Sequence, residues 1–342
     1  MGALTLGLIV PVGARSDQGV SNTSRRAQSA APWIAEQLRT VADVREAARA
    51  LGMQVELVGV PNSDDGEAAM AMLRQRLGHA DCVMVVGHGP DTTSGKLHAL
   101  ARSCGLPVAG PDGLAIALSS DKLLARRQLA SRNLPVPRTV VLDGRVEQGA
   151  RELERLGFPC IVKPRRGSLG HGVARVATAE AVRALGETGD TDRLVERELV
   201  GREFSVVMLG REILGIAELV RTFTNEGPRT VEMRCPADLD PITRAGIENL
   251  ARRSCEALGL TRGPLRVDLI ASTRHNEAVL EVEAVPPLHR DSVVARVARA
   301  AGLPYPELVA RVIESSPRAV LRTSTPTLRT GAAPTRAPAL HA

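Results

Sequence analysis

Two stretches late in the chain alternate charge and hydrocarbon with the period of an extended strand. They are Leu265-Arg266-Val267-Asp268-Leu269-Ile270 and Val279-Leu280-Glu281-Val282-Glu283-Ala284. Successive side chains of a strand leave on opposite faces. Arg266 and Asp268 therefore share a face, with Val267 and Leu269 behind them. Glu281 and Glu283 likewise share a face, with Leu280, Val282 and Ala284 behind. Three carboxylates brought together from neighbouring strands suit a hard divalent cation, which takes oxygen ligands and is shared with substrate phosphates. Two surface strands with solvated acids would show the same pattern, and on these residues alone the two readings stand level.

A chain of 342 residues has room for two or three units of ordinary domain size. Its only aromatic residues are Trp33, Tyr305, Phe158, Phe204 and Phe223, so its cores must be aliphatic. The same scarcity argues against a stacking surface for single-stranded nucleic acid. The net charge of +6 is mostly local: Arg318, Arg322, Arg329 and Arg336 lie in the last 27 residues, which hold no acid, and the remainder carries +2. That tail, 316–342, is rich in Pro, Thr and Ala without periodicity and is expected to be disordered. Cys82, Cys104, Cys160, Cys235 and Cys255 are scattered without C-x-x-C spacing, the pattern of reduced thiols in a cytoplasmic protein. The apolar run Leu4–Val12 lacks a basic leader and reads as a first buried strand rather than a signal peptide. No run approaches the about 18 apolar residues that span a bilayer.

The first third alternates strand and helix signals: strand Leu4–Val12, helix Ala27–Leu51, strand Val55–Val60, helix Ala68–Leu77, strand Cys82–Val86, helix Lys96–Cys104. Such alternation implies a parallel sheet with helices on both faces. A loop at 87–91 and a short strand and turn at 105–112 complete this region. Ser119, Ser120 and Asp121 are expected to cap a helix at about Lys122–Ser131. Asn133-Leu-Pro-Val-Pro137 breaks the chain before Val140–Leu142. A helix at Val146–Leu156, a strand Phe158–Val162, a glycine-rich turn 167–172 and a strand Val173–Val176 follow. Strands Leu194–Glu196, Glu203–Leu209 and Glu212–Leu219, the helix Pro241–Leu258, the two acid-bearing strands and a closing helix Tyr305–Ser315 make up the rest.

Lys163 stands at the end of a buried strand, just before Gly167-Ser168-Leu169-Gly170-His171-Gly172. Glycines let backbone N–H groups approach an anion, while Ser168 adds a hydroxyl and Lys163 a positive charge. The turn joins two strands and does not fit G-x-x-x-x-G-K-[ST], which disfavours a P-loop or a dinucleotide fingerprint. Read alone, it is also an ordinary hairpin turn. The acids of Glu196-Arg-Glu198-Leu199-Val-Gly-Arg-Glu203 could accept from an amino group and from ribose hydroxyls; a charged surface hairpin is the plainer alternative.

Several motifs occur in one order: Ser120-Asp-Lys122, Ile161-Val-Lys163-Pro, the glycine turn, Val-Glu196 with Gly-x-Glu203-Phe, Cys235-Pro-Ala-Asp-Leu-Asp240, Arg266-Val-Asp268 and Leu-Glu281-Val-x-x-x-Pro286. Together they resemble the ATP-grasp superfamily, in its D-alanine–D-alanine ligase-like branch, from about Asp81 to Ser315. The resemblance implies an α/β (α+β) fold with an N-terminal parallel domain (1–112), a central ATP-grasp subdomain (113–200) and a C-terminal one (201–315), the last two sandwiching ATP. It implies that Lys122 and Lys163 contact phosphates beneath the turn carrying Ser168 and Gly170. Glu196, the backbone near Leu199, and Glu203 would hold adenine and ribose. Asp268, Glu281 and Glu283 would bind Mg2+ or Mn2+, Arg266 would stabilise an oxyanion, and Ser292 would hold a substrate carboxylate. Small amino-acid-like molecules would be the substrates, neither nucleic acid nor membrane a partner, and a homodimer is common in such families.

Departures cluster at the substrate pocket. Glu281-Val-Glu283 replaces the family's Glu-x-Asn, and Pro286-Pro287 replaces Pro-Gly, removing a backbone donor at Pro287. Asp17 or Gln18 stands where a glutamate would bind the substrate ammonium. The segment between Leu214 and Cys235 is shorter than in the ligases and lacks the Lys-Tyr pair of their closing loop. The reading is an ATP- and Mg2+-dependent carboxylate–amine ligase acting through an acyl phosphate, with an altered substrate and a dipeptide or amide bond as the product. Genuine D-alanine–D-alanine ligation in peptidoglycan synthesis and a non-catalytic ATP-binding protein are its alternatives.

Overall fold

In the computed structural model, residues 3–12, 24–61, 65–87, 89–142, 152–167, 170–186, 192–224, 227–272 and 276–317 are described. Strands β1 (Thr5–Val12), β2 (Gln54–Pro61) and β3 (Cys82–Val85) form a parallel sheet in the order β2-β1-β3. Both faces of β1 are covered, which is why its sequence is a continuous apolar run rather than an alternation. Leu6, Leu8 and Val10 pack with Val44, Ala47 and Ala48 of the helix Ser24–Ala50. Ile9 packs on the other side with Leu73 and Leu77 of the helix Gly66–Leu77. That second helix lies so close that a Cβ at Gly7 would fall 2.7 Å from Leu77 Cδ2.

The chain returns to this sheet at its far end. Helices Val293–Ala300 and Tyr305–Glu314 bring Val297, Leu308 and Ile313 into the cluster with Leu6 and Leu8. The helix Val293–Ala300 has no counterpart in the sequence reading, although Ser292 caps it and its Val and Ala positions are buried.

A second sheet is antiparallel, in the order β4-β7-β5-β6: β4 (Thr139–Leu142), β5 (Cys160–Pro164), β6 (Ala174–Val176) and β7 (Arg193–Arg197). The third, also antiparallel, runs β10-β9-β8-β11-β12: β8 (Arg202–Leu209), β9 (Glu212–Thr224), β10 (Gly227–Arg234), β11 (Pro264–Ser272) and β12 (Asn276–Glu283). The helix Pro241–Ala257, capped by Asp240, covers its inner face through Ile247, Leu250 and Ala251.

Several expectations shift. Ser119 and Ser120 cap nothing; they end a separate helix, Gly113–Ser120, by donating back to the carbonyls of Ile116 and Ala117. Asp121 alone caps Lys122–Ser131, accepting from the Leu124 amide at 3.1 Å. At 105–112 only Val108 makes a bridge, to Val83. The 87–91 loop runs into a single helical turn, Pro90–Thr93. β9 runs on to Thr224 and pairs with β10, so the short segment after Leu214 is a hairpin. Of the helix expected at Val146–Leu156, residues 152–156 are helical and the rest lies outside the described residues, as does the tail from 318. All five cysteines are free. Among the described residues, no helix is long and apolar enough to cross a membrane.

Candidate active site

Period-two alternation builds the two walls of a cleft of about 520 Å³ between the antiparallel sheets. On β5, Cys160 and Val162 enter a core while Ile161 and Lys163 line the cleft. On β11, Leu265, Val267 and Leu269 enter another core while Arg266 and Asp268 face the cleft. The strand reading of the acids therefore holds, with one correction. A register shift leaves Asp268 opposite Glu281 but Leu269 opposite Val279, so Leu280 is an extra residue in a bulge. The bulge carries Leu280 to the cleft wall with Glu281 and Glu283, whereas Val282 and Ala284 stay behind as expected.

On the first wall, Asp121 accepts from Arg165 Nε at 2.8 Å and Arg166 Nη2 at 3.1 Å, tying the chain after β5 to the start of the helix Lys122–Ser131. Burial pulls the Asp121 carboxyl up, but hydrogen bonds from Arg165 and the Leu124 amide hold it below its ordinary value. Lys122 Nζ donates to the Gly167 carbonyl at 2.6 Å and lies 3.2 Å from Glu281 Oε1. Lys163 Nζ lies 2.7 Å from Glu196 Oε2. Burial brings the Lys163 ammonium down to about 8, with Glu196 opposing the fall and Arg126 adding to it. Gly172, at φ +70°, is so close to the strand end that a Cβ would meet Pro164 Cγ at 2.8 Å.

On the second wall, Arg266 grips Asp268 with two bonds, Nε to Oδ1 at 3.0 Å and Nη2 to Oδ2 at 2.9 Å, and reaches Glu283 at 2.8 Å. Ser205 donates to Asp268 Oδ1 at 2.5 Å. Burial raises Asp268, but Arg266 and Arg221 outweigh it and keep the carboxylate ionised. Glu281 is likewise held low against burial by Lys122 and Lys163. Glu283 goes the other way: burial, then Glu281 and Asp268, push it up to about 7 against Arg266. Glu203, paired with Arg221 at 2.9 Å, also rises to about 7 by burial, with Asp268 and Glu281 adding to it.

Among the described residues no three acids stand around a common point at metal-ligand distance. Arg266 lies between Asp268 and Glu283, and Lys122 sits beside Glu281. The donor set still fits magnesium in kind, since it is carboxylate oxygen on paired strands. Both raised carboxyls owe their shift first to burial, with neighbouring acids adding to it.

The remaining sequence-derived positions divide. Gly170 and Leu199 line the cleft. Glu196 reaches it, but both its oxygens are taken by Lys163 and Arg126. Ser292 is buried and accepts from the Ala295 amide at 3.2 Å as a helix cap. Ser168 and Asp17 lie outside the described residues. Sequence reasoning missed Arg126, Ser205 and Arg221. Arg126 was the one within reach, because it lies four residues after Lys122 and so on the same helical face.

Two antiparallel sheets that close on a cleft lined by lysines on one side and acids on the other define an ATP-grasp ligase, an enzyme that uses ATP to form a carbon–nitrogen bond. Within that class the chain belongs to the D-alanine–D-alanine ligase family, whose C-terminal sequence model, described as D-ala D-ala ligase C-terminus, matches residues 131–314. It is 34% identical over 291 residues to the D-alanine–D-alanine ligase of Stutzerimonas stutzeri strain A1501, covering 82% of this chain and 89% of that protein. The ligase of Ectopseudomonas mendocina strain ymp is 33% identical over 245 residues, 69% of this chain and 78% of the relative. Among solved structures, the ATP complex of the Bacillus anthracis D-alanine–D-alanine ligase superposes with a TM-score of 0.73 at 20% identity, over 92% of this chain and 97% of that one. The VanG D-Ala:D-Ser ligase of Enterococcus faecalis gives 0.72 at 19%, over 92% and 99%.

Proposed function

We propose that this chain joins two small amino acids, D-alanine among them, at the expense of ATP and through an acyl phosphate. The observation that carries the reading is the convergence on one cleft of Lys122, Lys163, Arg266, Asp268 and Glu281, residues up to 159 positions apart in sequence. Lys122 and Lys163 would hold the phosphates under the glycine turn with Ser168. The backbone at Leu199 and the Glu203 carboxylate would hold adenine and ribose. Asp268, Glu281 and Glu283 would hold Mg2+ or Mn2+, which supplies charge neutralisation at the phosphates when bound.

Arg266 stays charged, because Asp268 and Glu283 beside it outweigh the pull of burial. A fixed cation of that kind stabilises oxyanion charge as it develops and needs no reorganisation to do so. The carboxylate of one amino acid takes the terminal phosphoryl group, and the amine of the second attacks the carbonyl and expels phosphate. Positioning and charge neutralisation supply most of the acceleration in phosphoryl transfer.

Purified protein given ATP, magnesium and D-alanine should release ADP and phosphate, and the release should require the amino acid. ATP binding without turnover on any amino-acid pair would instead make the chain a non-catalytic nucleotide binder.

A second reading, an altered acceptor, draws on Pro287, which stands where the family resemblance has a glycine. Pro287 offers no N–H there, and His289 Nε2 is 2.6 Å from Glu36 Oε1. Turnover with another amine at a kcat/KM more than tenfold above D-alanine would establish that reading.

A further inference from the structure

Arg126 is a buried guanidinium with four hydrogen bonds, none of them to a group that sequence motifs single out for it. Its Nε and Nη2 hold the two oxygens of Glu196 at 2.5 and 2.9 Å. Its Nη1 and Nη2 also donate to the carbonyls of Val279 and Leu280, at 3.0 and 2.7 Å. Those carbonyls lie at the bulge of β12, where the shifted register leaves Leu280 without a residue opposite it. The Val279 amide is turned away as well, to the Pro135 carbonyl at 2.9 Å. One side chain thus fixes the bulge that sets Glu281 opposite Asp268, and fixes the carboxylate that holds Lys163 on the opposite wall.

Glu196 is 3% exposed, and protein donors already hold both of its oxygens. Its Oε1 accepts from Arg126, and its Oε2 accepts from Arg126 and from Lys163. A planar fork matched to a carboxylate and to two further acceptors is a geometry that lysine cannot reproduce.

We propose that Arg126 and Glu196 are positioning residues that act on ATP only through Lys163 and the β12 bulge, and that Glu196 makes no contact with the nucleotide. This rests on the ligase reading above, and it reassigns a residue which the family resemblance places at the adenine.

The test is calorimetry of ATP and GTP binding to the full chain with magnesium, from pH 6.5 to 9.5, for the wild type, Glu196→Gln and Arg126→Lys. The charged groups facing Lys163 are Glu196 on β7, Arg126 on the helix and Glu281 on β12. Wild-type ATP affinity should fall as the pH passes about 8. Glu196→Gln removes the nearest counter-charge, so that midpoint should move down by about one unit or more, with the ATP-to-GTP preference unchanged. Arg126→Lys should keep the fold by thermal melting and weaken ATP about tenfold, the loss expected when a fork of charged hydrogen bonds is reduced to one.

An unmoved midpoint with a collapsed ATP-to-GTP preference in Glu196→Gln would show a direct base contact and overturn the proposal. So would Arg126→Lys with a lower melting temperature and unchanged ATP affinity, because that marks a purely structural role. A wild type that binds no nucleotide would sink the ligase reading itself, a separate and recognisable result.

Discussion

His98 and Lys163 are both buried bases, one beside the parallel sheet and one in the cleft, and the fold treats them in opposite ways. His98 is 2% exposed, its Nδ1 has no hydrogen-bond partner, and burial drives it down to about 3, so it is neutral in the folded protein. Lys163 is comparably buried, but Glu196 stands 2.7 Å away and keeps it protonated up to about pH 8. Burial alone therefore does not decide charge; a partner does. The parallel-sheet region is an aliphatic core in which a titratable group has been neutralised. The cleft is a lattice of buried ion pairs in which charges are kept, which is what a site for a polyanion needs.

That contrast can be broken from either side. The largest effect is expected at Glu281: Glu281→Ala should lower kcat by on the order of 10²–10³, as losing one charge-stabilising group does, while the melting temperature stays near that of the wild type. Activity close to wild type would remove Glu281 from the machinery. Leu8→Ala in the parallel sheet should do the reverse. It should cost about 2–5 kcal/mol by denaturant titration and leave the ATP affinity of the folded fraction unchanged.

A smaller effect is expected from His98. Its folded pKa lies below its unfolded one, so the unfolded chain binds more protons between about pH 6.5 and 3. The native state accordingly loses stability as the pH falls through that window. His98→Leu should flatten this acid slope in a urea series from pH 7 to 4; an unchanged slope would mean that His98 is not buried neutral.

The parallel-sheet region was legible because its determinants are local. Runs such as Cys82-Val-Met-Val85, bounded by helical segments, state both the strand and its burial. The acid strands were legible for the same reason, since period two assigns the faces of β11 without any knowledge of its neighbours. What stayed hidden depends on pairing between distant segments. The bulge at Leu280 arises only when β12 is laid against β11, and the engagement of Glu196 by Arg126 only when a helix meets β7. The β9–β10 hairpin was missed because Asn225-Glu226-Gly227 is a weak turn signal inside a segment compared with a longer loop. The environment of Glu283 was equally hidden: burial, with Glu281 and Asp268 adding to it, pushes its carboxyl up to about 7.

The central claim is that this cleft activates a carboxylate by phosphorylating it. The direct measurement uses D-alanine labelled with 18O in both carboxylate oxygens, with ATP and magnesium, and mass spectrometry of the phosphate released. An acyl phosphate transfers one carboxylate oxygen to phosphate when the amine displaces it, so this account expects phosphate carrying a single 18O, formed in step with the dipeptide. Dipeptide accompanied by unlabelled phosphate would contradict it.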